Sequence, residues 1–329
     1  MRRIAAGLIV IMSVLLVSCK GKTGNTITVG SDKLDNTQSY FSESMHKAAR
    51  CDSGYYYLDK CGASADNLMF YDDKSEESIV LCNKPQCGHD GEECMAYISG
   101  SEFKSELYYY NSYIYMISSK GNLVRISADG TQRTDLGSIC VLSGQDSVSM
   151  CFNDGYAYVS QEITGDIEGN VTVRLHRFNL DTGLSDKIYE ETGYGIGINS
   201  LKTYGSDTFF LKTSVSKDDK GLYSLEGKGI FRITGENTEC LLDKNVYSYC
   251  IDADNNKLYY SGLGDGTIYE YDLGSGKSES IYKSDNDTGY FYITFDGNYI
   301  WMDDEGYKSM AMYFNKQSSS LDYTIYQLG

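Results

Sequence analysis

Hydrophobic and polar positions alternate with period two in short runs along this chain, and the runs come in groups. Each group opens on a short apolar run, turns at Asp, Asn or Gly, and continues into a Tyr-rich run. The turn and aromatic run recur as CDSGYYYL (51–58), YYYNSYIYMI (108–117), CFNDGYAYVS (151–160), TYGSDTFFLK (203–212), CIDADNNKLYYSG (250–262) and ITFDGNYIWMD (293–303). Third runs follow: NLMFYDD, NLVRISADG, VRLHRFNLDTG, GIFRITGEN, TIYEYDLGSG and SMAMYFNK. Fourth runs close each group: SIVLC, QRTDLG, SDKIYEE, TECLLD, SESIYKS and YTIYQLG. Alternation such as Ile268-Tyr269-Glu270-Tyr271-Asp272-Leu273 gives a strand two packing faces. No helical period separates the groups, which repeat at about the 40–50 residues of propeller blades or slightly more. The pattern predicts an all-β chain, a six-bladed β-propeller of four-stranded antiparallel blades, with only short, protected edges. TITVG (26–30) is a further strand that can pair onto the last group and close the ring. Residues 38–50 fit a helical lead-in or a first strand equally well.

Composition agrees with many short strands. There are 31 tyrosines and 34 glycines, the mix expected of aromatic strand faces and Gly-bearing turns. A single proline argues against a Pro-rich linker, so one domain is expected over the body of the chain.

The first residues read differently. Arg2 and Arg3 precede an uncharged apolar run over 4–16, shorter than the ~20 residues of a membrane-spanning helix. It ends in Leu16-Val17-Ser18-Cys19, which resembles the lipobox of bacterial lipoproteins. That resemblance implies a signal peptide over 1–18, cleaved before a diacylated Cys19, and a protein anchored to the outer face of the cell membrane. Residues 19–50 then form a flexible tether and lead-in, and 51–329 the propeller. Removing 1–18 takes two basic residues and no acidic one from 29 and 46, moving the net charge from −17 to −19. Such a body repels nucleic acid and anionic lipid heads. A monomer is expected, held to the membrane only through its lipid.

KLYYSG, ELYYYN and LMFYDD resemble the Tyr-Trp-Thr-Asp-type propellers of lipoprotein-receptor ectodomains. Lipobox, Tyr-rich blades and the cysteine-rich first-blade stretch together resemble a family of Gram-positive bacterial lipoproteins with that propeller. The resemblance is most specific over Leu81 to Cys87, then His89, then Cys94 to Tyr97. It implies a fold and an address but no reaction.

LCNKPQCGHDGEEC (81–94) carries the densest chemistry. Cys82, Cys87, His89 and Cys94 are spaced C-x4-C-x-H-x4-C. Three thiolates and an imidazole make a tetrahedral zinc set, with Asp90, Glu92 and Glu93 at hand as acceptors for the histidine. The spacing is not the two-residue knuckle of common zinc fingers. Export favours oxidising chemistry, so a disulfide between two of the three cysteines competes, and so does a turn with no bond. Of the ten cysteines, nine remain after Cys19. Cys51, Cys151 and Cys250 fall just before the first turn of a group, on innermost strands, and Cys140 and Cys240 near outer ones. A sheet's inner and outer strands lie about three spacings of ~4.8 Å apart, beyond disulfide reach of ~7 Å, so the first three are expected to be buried small hydrophobes.

Enzyme signatures are sparse. His46 and His176 have no nucleophile motif beside them, and neither G-x-S-x-G nor H-E-x-x-H occurs. DADNN (252–256) and SDNDTG (284–289) read as Asx-rich turns rather than calcium loops, since both lack the spaced glutamate. Most tyrosines are expected to pack blade on blade with their hydroxyls at the rim. The chain therefore reads as a non-catalytic module that binds a peptide, protein or glycan at one face of the ring. Two alternatives stand beside it: a polysaccharide hydrolase or lyase using channel carboxylates, and a metal or redox role for Cys82, Cys87, His89 and Cys94.

Overall fold

The computed structural model describes residues 48–324 apart from 52, 101–102, 104–106, 144–145, 166–168, 205–206, 236, 253, 285–290, 296–298, 305–310 and 316–319, and the backbone alone over 301–324. The expected signal peptide, Cys19, TITVG and His46 lie outside the described residues. Within the lead-in left open between helix and strand, residues 48–51 are strand.

The described residues form six antiparallel sheets and no helix. The first holds β1 (Ala48–Cys51), β2 (Gly54–Lys60), β3 (Ala65–Asp72), β4 (Glu77–Val80) and β5 (Tyr97–Ser99). The second runs β6 (Tyr108–Tyr110), β7 (Tyr113–Ile117), β8 (Asn122–Ser127), β9 (Arg133–Ser138). The third runs β10 (Ser147–Asn153), β11 (Tyr156–Thr164), β12 (Asn170–Asn179), β13 (Ser185–Tyr194). The fourth runs β14 (Gly197–Tyr204), β15 (Asp207–Lys217), β16 (Tyr223–Thr234), β17 (Asn237–Leu242). The fifth runs β18 (Val246–Asp252), β19 (Lys257–Gly262), β20 (Thr267–Asp272), β21 (Lys277–Lys283). The sixth runs β22 (Phe291–Phe295), β23 (Tyr299–Asp304), β24 (Ala311–Asn315), β25 (Ser320–Thr324). Strand order follows chain order in every sheet, and the first strand of each sheet touches the first strand of the next, from β1 through β22. This is β-propeller architecture.

Local chemistry sets the hairpins. Asn111 and Ser112 join β6 to β7 with φ of 47° and 63°, and Asp154 and Gly155 join β10 to β11 with φ of 45° and 77°. Two consecutive positive φ values make the two-residue turn whose twist matches the flanking strands, and Asn, Asp and Gly adopt it at least cost.

Tyrosines knit the blades together. The Tyr110 ring stacks on Phe152 of the next sheet at 5.0 Å, and its hydroxyl accepts from the Gly155 amide at 3.2 Å. Tyr108 accepts from the Met150 amide at 3.1 Å. Tyr249 donates to the Ser200 carbonyl at 2.7 Å and Tyr56 to the Ala128 carbonyl at 3.2 Å, again across a seam between sheets. These hydroxyls engage the neighbouring blade's backbone rather than standing at the rim. Each ring buries its apolar body between sheets while its polar end satisfies a strand group.

The first sheet departs from the expected four strands. β4 pairs with Met69 to Asp72 of β3, and β5 pairs with Ala65 to Asn67 on the same edge. The outer strand is thus broken in two at Leu68. Its amide donates to the Ala96 carbonyl and its carbonyl accepts from the Leu81 amide, at 2.8 and 2.9 Å. The cysteine-rich stretch is the excursion that leaves and rejoins the sheet at that residue.

Candidate metal centre and ring cavity

The excursion is wound by tight turns that present each ligand. Pro85 and Gln86, the latter at φ 60°, occupy the centre of a turn closed by the Cys87 amide donating to the Lys84 carbonyl at 3.3 Å, the type II arrangement. His89 follows at φ 55°. A second turn closes from the Cys94 amide to the Gly91 carbonyl at 2.9 Å. Lys84 reaches across the loop to the Glu93 carbonyl.

The result brings together the residues predicted from spacing. One ligand atom from each of Cys82, Cys87, His89 and Cys94 lies within 4.8 Å of the others, and His89 Nδ1 is 3.3 Å from Cys94 Sγ. Zinc bonds of ~2.3 Å to sulfur in a tetrahedron separate ligand atoms by about 3.8 Å, so the quartet needs only a small contraction to close on an ion. Cys94 is buried, and the other three are half-buried. All nine described cysteines are free thiols.

The electrostatics differ between the sulfurs. Burial opposes ionisation of Cys82, but backbone amides of Lys84 and Met95 and the thiols of Cys94 and Cys87 donate to it and hold its pKa below the ordinary value. Burial pushes Cys94 up to about 11, against a donated bond from the Ala96 amide. Amides two residues beyond a cysteine, aimed at its sulfur, stabilise a thiolate with or without an ion.

The loop is also fastened to the second sheet. The Asn83 amide donates to the Gly130 carbonyl at 3.4 Å, and Arg133 donates to the Tyr97 carbonyl at 3.0 Å. Gly130, at φ 68°, lies so close that a Cβ there would fall 2.7 Å from the Leu81 carbonyl oxygen and 3.1 Å from the Cys82 nitrogen. Leu81, Cys94, Ala96 and Ile98 share one core with Leu107, Ile114, Met116 and Ile126 of the second sheet. The quartet thus sits on a clasp between two blades.

A second feature occupies the middle of the ring. A cavity of about 280 Å3 is lined from five innermost strands, by Tyr108, Met150, Asn199, Val246 and Tyr292 among others. The described lining is hydroxyl, amide and apolar, with no carboxylate. Glu162, which sequence reasoning did not single out, accepts from the Ile198 amide at 3.0 Å and from Ser147 at 3.2 Å; burial raises its pKa. It is not among the lining residues: cross-strand pairing with Ser147, invisible without the register, and the bond from Ile198 hold it at the seam between the third and fourth sheets.

Other sequence candidates resolve as structure. His176 is buried against Gln161 Oε1 at 3.2 Å, and burial lowers its pKa to about 4. Gln161 in turn donates to Asp146 and to the Val141 carbonyl, both at 2.8 Å. In DADNN, Asp252 caps its own turn through Asn255, as an Asx turn does. SDNDTG lies mostly outside the described residues. Cys51, Cys151 and Cys250 are buried on innermost strands, as expected, and burial pushes Cys250 up to about 12.

No family model matches the sequence, and a search of curated proteins gives no match. Solved structures do match. An oligogalacturonate lyase from Vibrio parahaemolyticus aligns over 86% of this chain and 78% of its own, with TM-score 0.58 and 9% identity. An oligogalacturonate lyase in complex with manganese aligns over 78% and 70%, with TM-score 0.52 and 11% identity. A nidogen/laminin complex aligns over 80% and 92%, with TM-score 0.45 and 10% identity. At such identities the likeness is one of fold, and the fold is the β-propeller.

Proposed function

We propose that this protein is a non-catalytic binding module, displayed on the outer face of the cell membrane through a lipid on Cys19, whose propeller holds its ligand at the cavity in the ring. The observation that carries this reading is the cavity's lining. Seven strands, the five innermost ones with β15 and β16, supply hydroxyl, amide and apolar groups suited to holding a molecule, and the described lining has no carboxylate. Glycosidic hydrolysis by the usual route needs two carboxyl groups about 5–10 Å apart across the scissile bond. Glu162 stands outside that lining, at the seam between the third and fourth sheets.

In the same reading Cys82, Cys87, His89 and Cys94 hold a zinc ion of structural kind. Four protein ligands close the tetrahedron and leave no open position for a substrate. Thiolate-rich sites select zinc over manganese, which prefers oxygen ligands, so the manganese of the related fold does not transfer to this quartet.

The test is capture followed by a turnover assay. The full chain, immobilised, is offered peptide and oligosaccharide libraries, and each retained ligand is incubated and its mass re-measured. A ligand retained intact is the expected outcome. A retained ligand that is cleaved would make the protein an enzyme and overturn the reading.

A further inference from the structure

In the fourth sheet two strands run on past the innermost one. β15 pairs with β14 only as far as Gly197 opposite Thr213, yet continues with β16 through Ser214, Val215, Ser216 and Lys217. Those residues and Tyr223 to Glu226 form a two-stranded ribbon beyond the innermost strand. Tyr223 and Leu225 alternate onto one face of it, and Leu225 also lines the cavity. Tyr194, at the end of β13 in the preceding blade, lies against the ribbon. Its ring is near-parallel to that of Tyr223, at 20° with centroids 6.2 Å apart. The two rings are 38% and 60% exposed, large values for tyrosines in a chain that buries so many.

We propose that Tyr194, Tyr223 and the adjoining cavity form a binding site for a neutral oligosaccharide; this rests on the binding-module reading above and names its ligand class. A sugar ring has a C–H face that packs on an aromatic ring and an equatorial girdle of hydroxyls that needs hydrogen-bond partners. The ribbon and the end of β13 supply one ring each, and the cavity supplies Ser149, Asn199, Thr213 and Tyr292. Charge selects a neutral chain end. No charged side chain is among the cavity's described lining, so a uronate or phosphorylated sugar entering it would lose its hydration without a counter-charge there. Lys217, whose ammonium lies 5.2 Å from the Tyr223 ring centre, stands outside the cavity on the ribbon. Size points the same way. About 280 Å3 lies at the lower end of small-molecule sites, enough for the end of a sugar chain and closed to a folded partner. The chain end enters the cavity and the following residues stack along Leu225 and the tyrosine pair.

The experiment is calorimetric titration of the full chain with tetrasaccharides of glucose, mannose and N-acetylglucosamine, beside tetragalacturonate and a peptide library. At least one neutral series binds. Tyr223→Ala weakens it tenfold or more, Tyr223→Phe stays within threefold because the ring is kept, and Asn199→Ala also weakens it. Both tyrosine variants alter an exposed ring, and unchanged melting temperatures confirm that they fold. Preference for tetragalacturonate, affinity indifferent to Tyr223→Ala, or no saccharide binding at all overturns the saccharide class. Peptide binding lost in Tyr223→Ala also overturns it, but leaves the binding module standing. Cleavage of a bound tetrasaccharide overturns the binding module instead.

Discussion

Gly130→Ala tests whether the second blade helps build the metal centre of the first. Two costs arise at that residue. Its φ of 68° is left-handed, which costs a side chain about 1–2 kcal/mol. Its new Cβ would also meet the Leu81 carbonyl oxygen at 2.7 Å and carbon at 2.8 Å, closer than real contacts allow and against backbone rather than the end of a side chain. Relieving such overpacking costs about 1–3 kcal/mol. In a metal-free loop Leu81 and Cys82 can retreat and shed the second cost. With Cys82 fixed to an ion they cannot, so most of that cost falls on metal affinity. Gly137→Ala is the control: φ is 113° and nothing lies within 4 Å of the added Cβ, so it carries strain without a clash. Both variants are expected to lower the melting temperature. Zinc affinity, measured by competition with a chromophoric chelator, should fall tenfold or more in Gly130→Ala, since about 1.4 kcal/mol is a factor of ten. In Gly137→Ala it should stay within about twofold, a few tenths of a kcal/mol. Equal zinc affinity in the two variants would refute the reasoning, because the clash would then not reach Cys82.

Elemental analysis of protein made in zinc-supplemented medium should give one equivalent of zinc, lost in Cys87→Ser; absence of the metal from the wild-type protein would remove the centre. Chelation should lower the melting temperature and first release protection from amide exchange at Leu68, whose two backbone bonds hold the loop's neck. His176 gives a pH signature. Its folded pKa, about 4, lies below the unfolded value near 6.5, so the unfolded state takes up the proton first. Its contribution is fully present above pH 6.5 and is lost as pH falls towards 4, by an amount on the order of 3 kcal/mol. Denaturant titrations from pH 7 to 4 should therefore show a shallower loss in His176→Gln than in wild type; parallel curves would rule out this assignment. Cys19→Ala should release the protein from membranes to the soluble fraction, and retention would remove the lipid anchor.

Much of the ring could be read from short-range pattern. Asp154-Gly155 and Asn111-Ser112 announce their hairpins because positive φ is a property of one or two residues. Period-two alternation announces the strands because side-chain direction depends on the backbone of the strand alone. The quartet was legible for the same reason: Cys82 and Cys94 are close in sequence, and the turns at Pro85-Gln86 and Gly91 fold the loop on itself. Expectation failed where the partner was distant. The four-strand rule hid the break at Leu68, because β4 and β5 are separated by the loop and share an edge only once β3 is in place. The tyrosines' packing between blades was foreseen, but their hydroxyl partners were not, since Gly155 and Ala128 belong to the next blade.

By itself the amino-acid sequence determined the strand elements, the all-β class, the repeating unit and the four candidate ligands, since each depends on residues within a turn or two of one another. Only the tertiary structure decided that the cavity lining carries no acid among its described residues, that Tyr194 meets Tyr223, and that Gly130 abuts the metal loop. Those facts depend on which sheet lies against which and in what register. Such contacts join residues from separate blades, and no local periodicity records them.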